Sequence, residues 1–169
     1  MPGDDAVKEP MLVNTLAITV ETGATEIWPW LVQMGYQRGG MYSYDWIDRL
    51  LGILDRPSAA RIIPEFQHLS VGDVIPMGKP PSWPVKAIEP NRLLLIVIRE
   101  SGVEVSWCFM LDEISDRQTR LVLRIRYNVA MTPLSRVAFA VIYPGQFLMV
   151  RKMLLGIKQR AESISKRDN

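Results

Sequence analysis

The segment spanning 36 to 46, YQRGGMYSYDW, gathers four aromatic rings, an arginine and an aspartate around a glycine pair, with neither helical nor strand period. Arg38 has the fork geometry to clamp a carboxylate or phosphate, and Tyr42, Tyr44 and Trp46 combine apolar area with a polar tip. Asp45 opens two readings. It forms an ion pair with Arg38 that fastens a tight loop, or it joins Arg38 in contacting a ligand. For proton transfer the candidates are Tyr44, Asp45 and His68, the single histidine, which stands with Glu65 in PEFQHL. A histidine with no identifiable partner reads more readily as a surface or capping group. Cys108 falls opposite Trp107 in strand alternation with no histidine near it in sequence, so it reads as packing and not as a thiolate nucleophile. Ser43 lacks the Gly-x-Ser-x-Gly context of a hydrolase elbow, and YQRGG lacks the lysine and preceding strand of a phosphate loop.

Composition narrows the field. With 169 residues, 48% hydrophobic and 22% charged, the chain is ordinary globular material for about one domain. A net charge of +2 is too weak to argue for nucleic acid, and no recognition motif adds to it. One cysteine and one histidine exclude an intramolecular disulfide and a Cys/His zinc set, and carboxylates do not cluster at ligand spacing. We expect no metal and no cofactor. Residues 1–11, acidic and containing proline, are the reverse of a secretion signal and read as a flexible tail of a cytoplasmic protein. Residues 12–165 form the domain, and 166–169 a C-terminal tail.

The elements that must hold these side chains follow from periodicity. Leu12–Val20 alternates as a half-buried strand, and Ala24–Met34 repeats apolar residues at helical steps, with Pro29 early in it. A short helix is predicted over Tyr44–Leu51. Ser58 has the chemistry of an N-cap for a further helical turn that Pro64 ends. A short strand follows Gly72-Asp73, and the four prolines from Pro76 to Pro84 predict a loop at the rim of the sheet. Val85–Glu89, Arg92–Arg99, Val103–Leu111 and Gln118–Tyr127 read as a meander. In it Val105, Trp107, Phe109, Leu121, Leu123 and Ile125 face a core or cavity, while Glu104, Ser106, Arg120, Arg124 and Arg126 face water. Gly145–Ser165 is the longest helix, with Phe147, Val150, Leu154, Ile157 and Ala161 on its stripe and Met149 and Met153 beside it. The apolar run Pro133–Tyr143 is too short to span a bilayer. It predicts a separate buried helix or a dimer surface, with a lid or membrane-touching patch as the other use.

Strand, two short helices, meander and long C-terminal helix is the order of the helix-grip fold. Four segments in that order, IWPWLVQMG, RGGMYSYDWIDRLLG, RIIPEFQHLSVGDVIPMG and FLMVRKMLLGIKQRAE, resemble the START-like, or SRPBCC, superfamily. The resemblance implies an α+β fold in which a curved antiparallel sheet wraps around the last helix and leaves a cavity. It also implies a hydrophobic or amphipathic small molecule, lipid-like or polyketide-like, as the partner. Ligand contacts are expected from Arg38, Tyr42, Tyr44, Asp45, Trp46, Trp107, Phe109, Phe147, Met149 and Met153. The chain is then a carrier or sensor. Two alternatives stand beside it: a cyclase or dehydratase-like enzyme acting on a ketide through Tyr44, Asp45 or His68, and a module docking a partner or membrane through residues 133–143. A transient membrane contact and a homodimer are compatible with the first reading.

Overall fold

A computed structural model describes residues 1–78, 82–100, 102–129 and 133–165, the side chains of 82, 129, 133–143 and 165 excepted. Strand β1 (Leu12–Val20) leads into helix α1 (Ala24–Val32), which ends two residues earlier than its apolar period predicts. The loop then reaches α2 (Asp45–Leu50) and a single 3-10 turn at Pro64–Phe66. Strands β2 (Val74–Pro76), β3 (Ser82–Glu89), β4 (Leu93–Glu100), β5 (Val103–Ser115) and β6 (Gln118–Val129) follow, and α3 (Pro133–Ser165) closes the chain.

All six strands form one antiparallel sheet in the order β1-β6-β5-β4-β3-β2. The meander therefore pairs each strand with its successor, and β1 completes the sheet beside the last strand. Register sets the inner face: Phe109 lies opposite Leu94 on one side and Leu123 on the other, and Trp107 opposite Ile96 and Ile125. These side chains are buried together with Ile27, Trp30 and Leu31 of α1 and with Val150, Met153, Leu154, Ile157 and Ala161 of α3. The curved antiparallel sheet with its C-terminal helix is the helix-grip arrangement that the pattern predicts. On the helix, Val150, Met153, Leu154, Ile157 and Ala161 recur at three- and four-residue steps, so one stripe meets the sheet.

Three expectations need correction. Pro133–Tyr143 is not a separate helix, because α3 runs unbroken through Pro144 for 33 residues. A proline removes one amide and disturbs one turn, which a long helix tolerates when both flanks continue it. Whether the side chains of that run are buried lies outside the described residues. Ser58 does not cap a helix: its hydroxyl is bonded to Asp45, and the chain from it to Ile63 stays irregular. The outer face of the sheet does not simply meet water. Leu93, Leu95, Val97 and Cys108 are buried there beneath Met1 and Ala6, and Val7 is fully covered.

The segment read as a flexible tail lies along that face, held by Asp4 between Arg124 (2.8 Å) and Arg126 (3.5 Å). Arg126 also donates to the Val7 carbonyl at 3.0 and 3.1 Å, and Arg99 donates to the Ala6 carbonyl. The arginines predicted to face solvent thus carry an overlying strap.

Candidate functional site

Between the sheet, α3 and the α2 region lies a cavity of about 840 Å³, inside the size range of small-molecule sites. The sheet contributes Trp83 of β3 and Trp107 of β5, and Met77 follows β2. From α3 come Gly145, Gln146, Leu148, Met149, Val150 and Met153. The third wall is the stretch Met41, Ser43, Tyr44, Trp46, Ile47, Asp48 and Leu51, with Ile53 beyond it. Trp83 and Trp107 meet edge to face with centroids 5.3 Å apart, and Trp107 meets Phe109 at 6.1 Å. Four methionines, Met41, Met77, Met149 and Met153, give the wall flexible and polarizable surface.

Helix α2 is turned inside out relative to its hydrophobicity. Trp46, Leu50 and Leu51 are 67%, 78% and 60% exposed, whereas Asp48 is 1% exposed. Leu148 of α3 adds 56% exposure on the opposite lip. Trp46, Leu51 and Leu148 line the cavity and also reach solvent, so they form its mouth.

The aromatic loop divides into two functions. Tyr44 and Trp46 line the cavity; Arg38, Tyr42 and Asp45 do not. Arg38 donates to the carbonyls of Val32 (2.9 Å), Met34 (3.2 Å) and Phe66 (3.3 Å) and lies 4.7 Å over the Phe66 ring. It collects the last carbonyls of α1, which have no intrahelical partner. The Arg38–Asp45 pair does not form. Asp45 instead accepts from the Ser58 hydroxyl (2.6 Å) and amide (3.0 Å), and the Ser58 hydroxyl oxygen accepts from the Tyr42 amide at 3.0 Å.

Tyr42, at φ 57°, is buried under α3. Its hydroxyl accepts from Gln33 at 3.0 Å, its ring meets Trp30 at 85°, and the Arg160 guanidinium stacks 4.8 Å away. Burial drives its phenol far above the ordinary tyrosine range, with the Gln33 hydrogen bond and Arg160 opposing. Gly39 and Gly156 permit this fit: a Cβ on Gly39 would stand 2.6 Å from the Tyr42 hydroxyl, and one on Gly156 2.1 Å from the Tyr42 carbonyl oxygen. Gln33, fully buried, also accepts from the Ile63 amide (2.9 Å) and Gln67 (3.2 Å), tying the irregular segment to α1.

Of the other expected residues, Trp107, Met149 and Met153 line the cavity. Phe109 is fully buried in the core behind Trp107, and Phe147 sits half-exposed on α3 outside the lining. His68 and Glu65 are exposed and lie outside it.

Solved structures of the same architecture exist. The chain is similar to a hypothetical protein from Helicobacter pylori (10% identity, TM-score 0.56, covering 95% of this chain and 94% of that one). It is also similar to norcoclaurine synthase from Thalictrum in complex with a transition-state analogue (15% identity, TM-score 0.51, covering 91% and 96%). A Thermobifida fusca protein matches at 11% identity and TM-score 0.52, covering 88% and 92%. The chain has an SRPBCC-type fold. No protein-family model matches the sequence, and no curated protein does. At these identities the likeness is one of fold, and the cavity lies between the sheet and the C-terminal helix of that fold.

Within this frame the polar features of the wall are few. Gln146 donates to the Tyr127 hydroxyl at 2.6 Å. The Ser43 hydroxyl oxygen accepts from the Tyr44 amide at 2.6 Å, so its proton is directed to Asp48 Oδ2 at 2.7 Å. Burial raises the Asp48 carboxyl above its ordinary value, the Ser43 hydrogen bond lowers it, and the neighbouring Asp45 charge raises it. Sequence reasoning missed Asp48, Ser43, Trp83 and Met77. The signal for Asp48 was present: an acid flanked by Ile47, Leu50 and Leu51 on a helix too short to bury both faces.

Proposed function

We propose that the protein binds a hydrophobic or amphipathic small molecule in the cavity between sheet and α3, acting as a cytoplasmic carrier or sensor. The observation that carries this reading is the cavity itself: about 840 Å³, walled by tryptophan, methionine, isoleucine and leucine, with the exposed Trp46, Leu51 and Leu148 at its mouth. Apolar walls bind apolar bodies because water leaving both surfaces is favourable, and the few polar groups orient what enters. Arg38, Tyr42 and Asp45 serve this site indirectly, by fixing the loop from which Tyr44, Trp46 and Asp48 face it.

The mouth supports exchange of the ligand with a bilayer. Trp46, Leu50, Leu51 and Leu148 are exposed together with Arg49 and Arg151, and the half-buried Lys152 places its ammonium 5.8 Å over the Tyr44 ring. Apolar tips ringed by cations favour an anionic lipid surface, and contact at the mouth brings the cavity to the source of an apolar ligand. Among the described residues, no helix is long and apolar enough to cross a membrane.

The test is displacement of a fluorescent apolar probe, 1-anilinonaphthalene-8-sulfonate or its uncharged relative N-phenyl-1-naphthylamine, from wild type and Met153→Trp. Met153 is buried at the inner end of the lining, so the indole occupies ligand space. Wild type is expected to bind the uncharged probe stoichiometrically and the variant at least tenfold more weakly. Equal binding by both would overturn the reading.

A further inference from the structure

Among the described residues that line the cavity, Asp48 is the sole Asp, Glu, Lys, Arg or His. It is 1% exposed, and its carboxylate accepts one hydrogen bond, from Ser43, with no ion pair among the described residues. The nearest charge acting on it, Asp45, has the same sign. A carboxylate removed from water and left with a single hydroxyl partner is costly, and such a group is ordinarily paired, hydrogen-bonded throughout or bound to a cation. Leu50 at the end of the same short helix and Leu51 just after it are exposed while the acid between Ile47 and Arg49 is covered. The sequence pattern and the observed orientation are opposed at this one place.

The same cavity is lined by the rings of Tyr44, Trp46, Trp83 and Trp107. Aromatic faces attract an ammonium by their quadrupole, most strongly when both are desolvated. An anionic head group, by contrast, would meet Asp48 with no cation to offset it among the described lining residues.

Resting on the carrier reading above, we infer that the molecule held in this cavity carries an organic ammonium group, which pairs with Asp48 while its apolar body lies against the tryptophan and methionine walls. The ligand class is an apolar or aromatic amine. An apolar carboxylate whose head reaches Asp48 meets a like charge there and binds more weakly than the amine. Ser43 is a positioning residue, fixing the carboxylate rotamer through its own hydroxyl, which the Tyr44 amide orients.

The experiment uses three probes with one tail and three heads: dodecylamine, dodecanol and dodecanoate, titrated below their aggregation limits at pH 7 against the full chain by calorimetry and native mass spectrometry. Wild type is expected to bind the amine about tenfold or more tightly than the alcohol, roughly the ratio that one well-formed charged contact makes, and the carboxylate most weakly. Asp48→Asn should lower amine affinity by about tenfold or more and leave alcohol affinity within about twofold. Alcohol binding equal to or tighter than amine binding in wild type would overturn the inference while sparing the carrier reading. So would a uniform loss for all three probes in a folded Asp48→Asn, which marks a structural role. If none of the probes binds wild type, both readings fail. Should Asp48→Asn not fold, the wild-type ranking of amine over alcohol and carboxylate decides alone.

Discussion

Replacing Gly156 by alanine sets two effects of opposite sign against each other. Gly156 lies inside α3, where alanine is intrinsically favoured over glycine by about 1 kcal/mol, so helix propensity alone predicts stabilisation. The added methyl, however, would stand 2.1 Å from the Tyr42 carbonyl oxygen, 3.0 Å from its Cβ and 3.1 Å from its carbonyl carbon. Ordinary contact for such atoms is about 3.4 Å or more, so helix and loop must separate by roughly 1 Å. The obstacle is backbone, which has no rotamer to yield. That separation also disturbs the Arg160 guanidinium, which donates to the Gly156 carbonyl at 3.1 Å and to the Ala59 carbonyl at 2.8 Å while stacking on Tyr42. Overpacking of this kind costs about 1–3 kcal/mol and occasionally more; with the lost arginine contacts added, about 3 kcal/mol is reasonable. The net after propensity is about 2 kcal/mol of destabilisation, or roughly 4–8 °C in Tm for a chain of this size. Urea and thermal unfolding of Gly156→Ala measure it directly. A Tm equal to or above wild type would refute the claim that α3 is seated on the Tyr42 backbone.

Other perturbations test the remaining parts. Asp48→Asn should raise the Tm of the ligand-free protein at neutral pH, because the folded carboxyl is raised above its ordinary value near 3.8 by burial. The unfolded chain then holds fewer protons between those two values, so wild-type stability falls as pH rises through the window; the advantage of the variant should shrink on acidification through it and vanish below. The Cys108 thiol, pushed up to about 11 by burial with the Asp4 charge adding, should react with a thiol reagent at pH 8 far more slowly than in urea. Asp4→Ala, which releases the strap from Arg124 and Arg126, should speed that labelling severalfold without unfolding the domain. Trp46→Ser with Leu50→Ser should abolish flotation with anionic phosphatidylserine vesicles while changing Tm little, since both side chains are mostly exposed.

The parts legible from sequence are those in which one face is buried along a regular element. Period two over Val103–Leu111 and Gln118–Tyr127 locates the inner face because a strand cannot place Trp107 inward without placing Cys108 outward. The same holds for the α3 stripe from Val150 to Ala161. What was not legible depends on partners distant in the chain. Arg38 reads as a ligand clamp only while the Phe66 carbonyl and ring are unknown, and Tyr42 reads as a binding tyrosine only while Gln33 and Arg160 are unknown. Ser58 looks like a helix cap by chemistry, but Asp45 takes its hydroxyl. The strap over the outer face had a local hint in β4, whose Leu93–Ile98 run is buried on both sides, a pattern that a strand with one wet face does not produce.

The placement of β1 beside β6 has a consequence for how the polypeptide is made. Leu16 pairs with Leu123, so the first strand's sole neighbour in the sheet leaves the ribosome about a hundred residues after it. At translation speeds of about 5–20 residues per second, β1 and α1 wait on the order of 5–20 s with their apolar faces uncovered. The meander from β3 to β6 has no such delay, because each hairpin closes as its second strand emerges. The nascent chain therefore carries an amino-terminal segment whose Ile27, Trp30 and Leu31 stay uncovered until the sheet and α3 that bury them have been made.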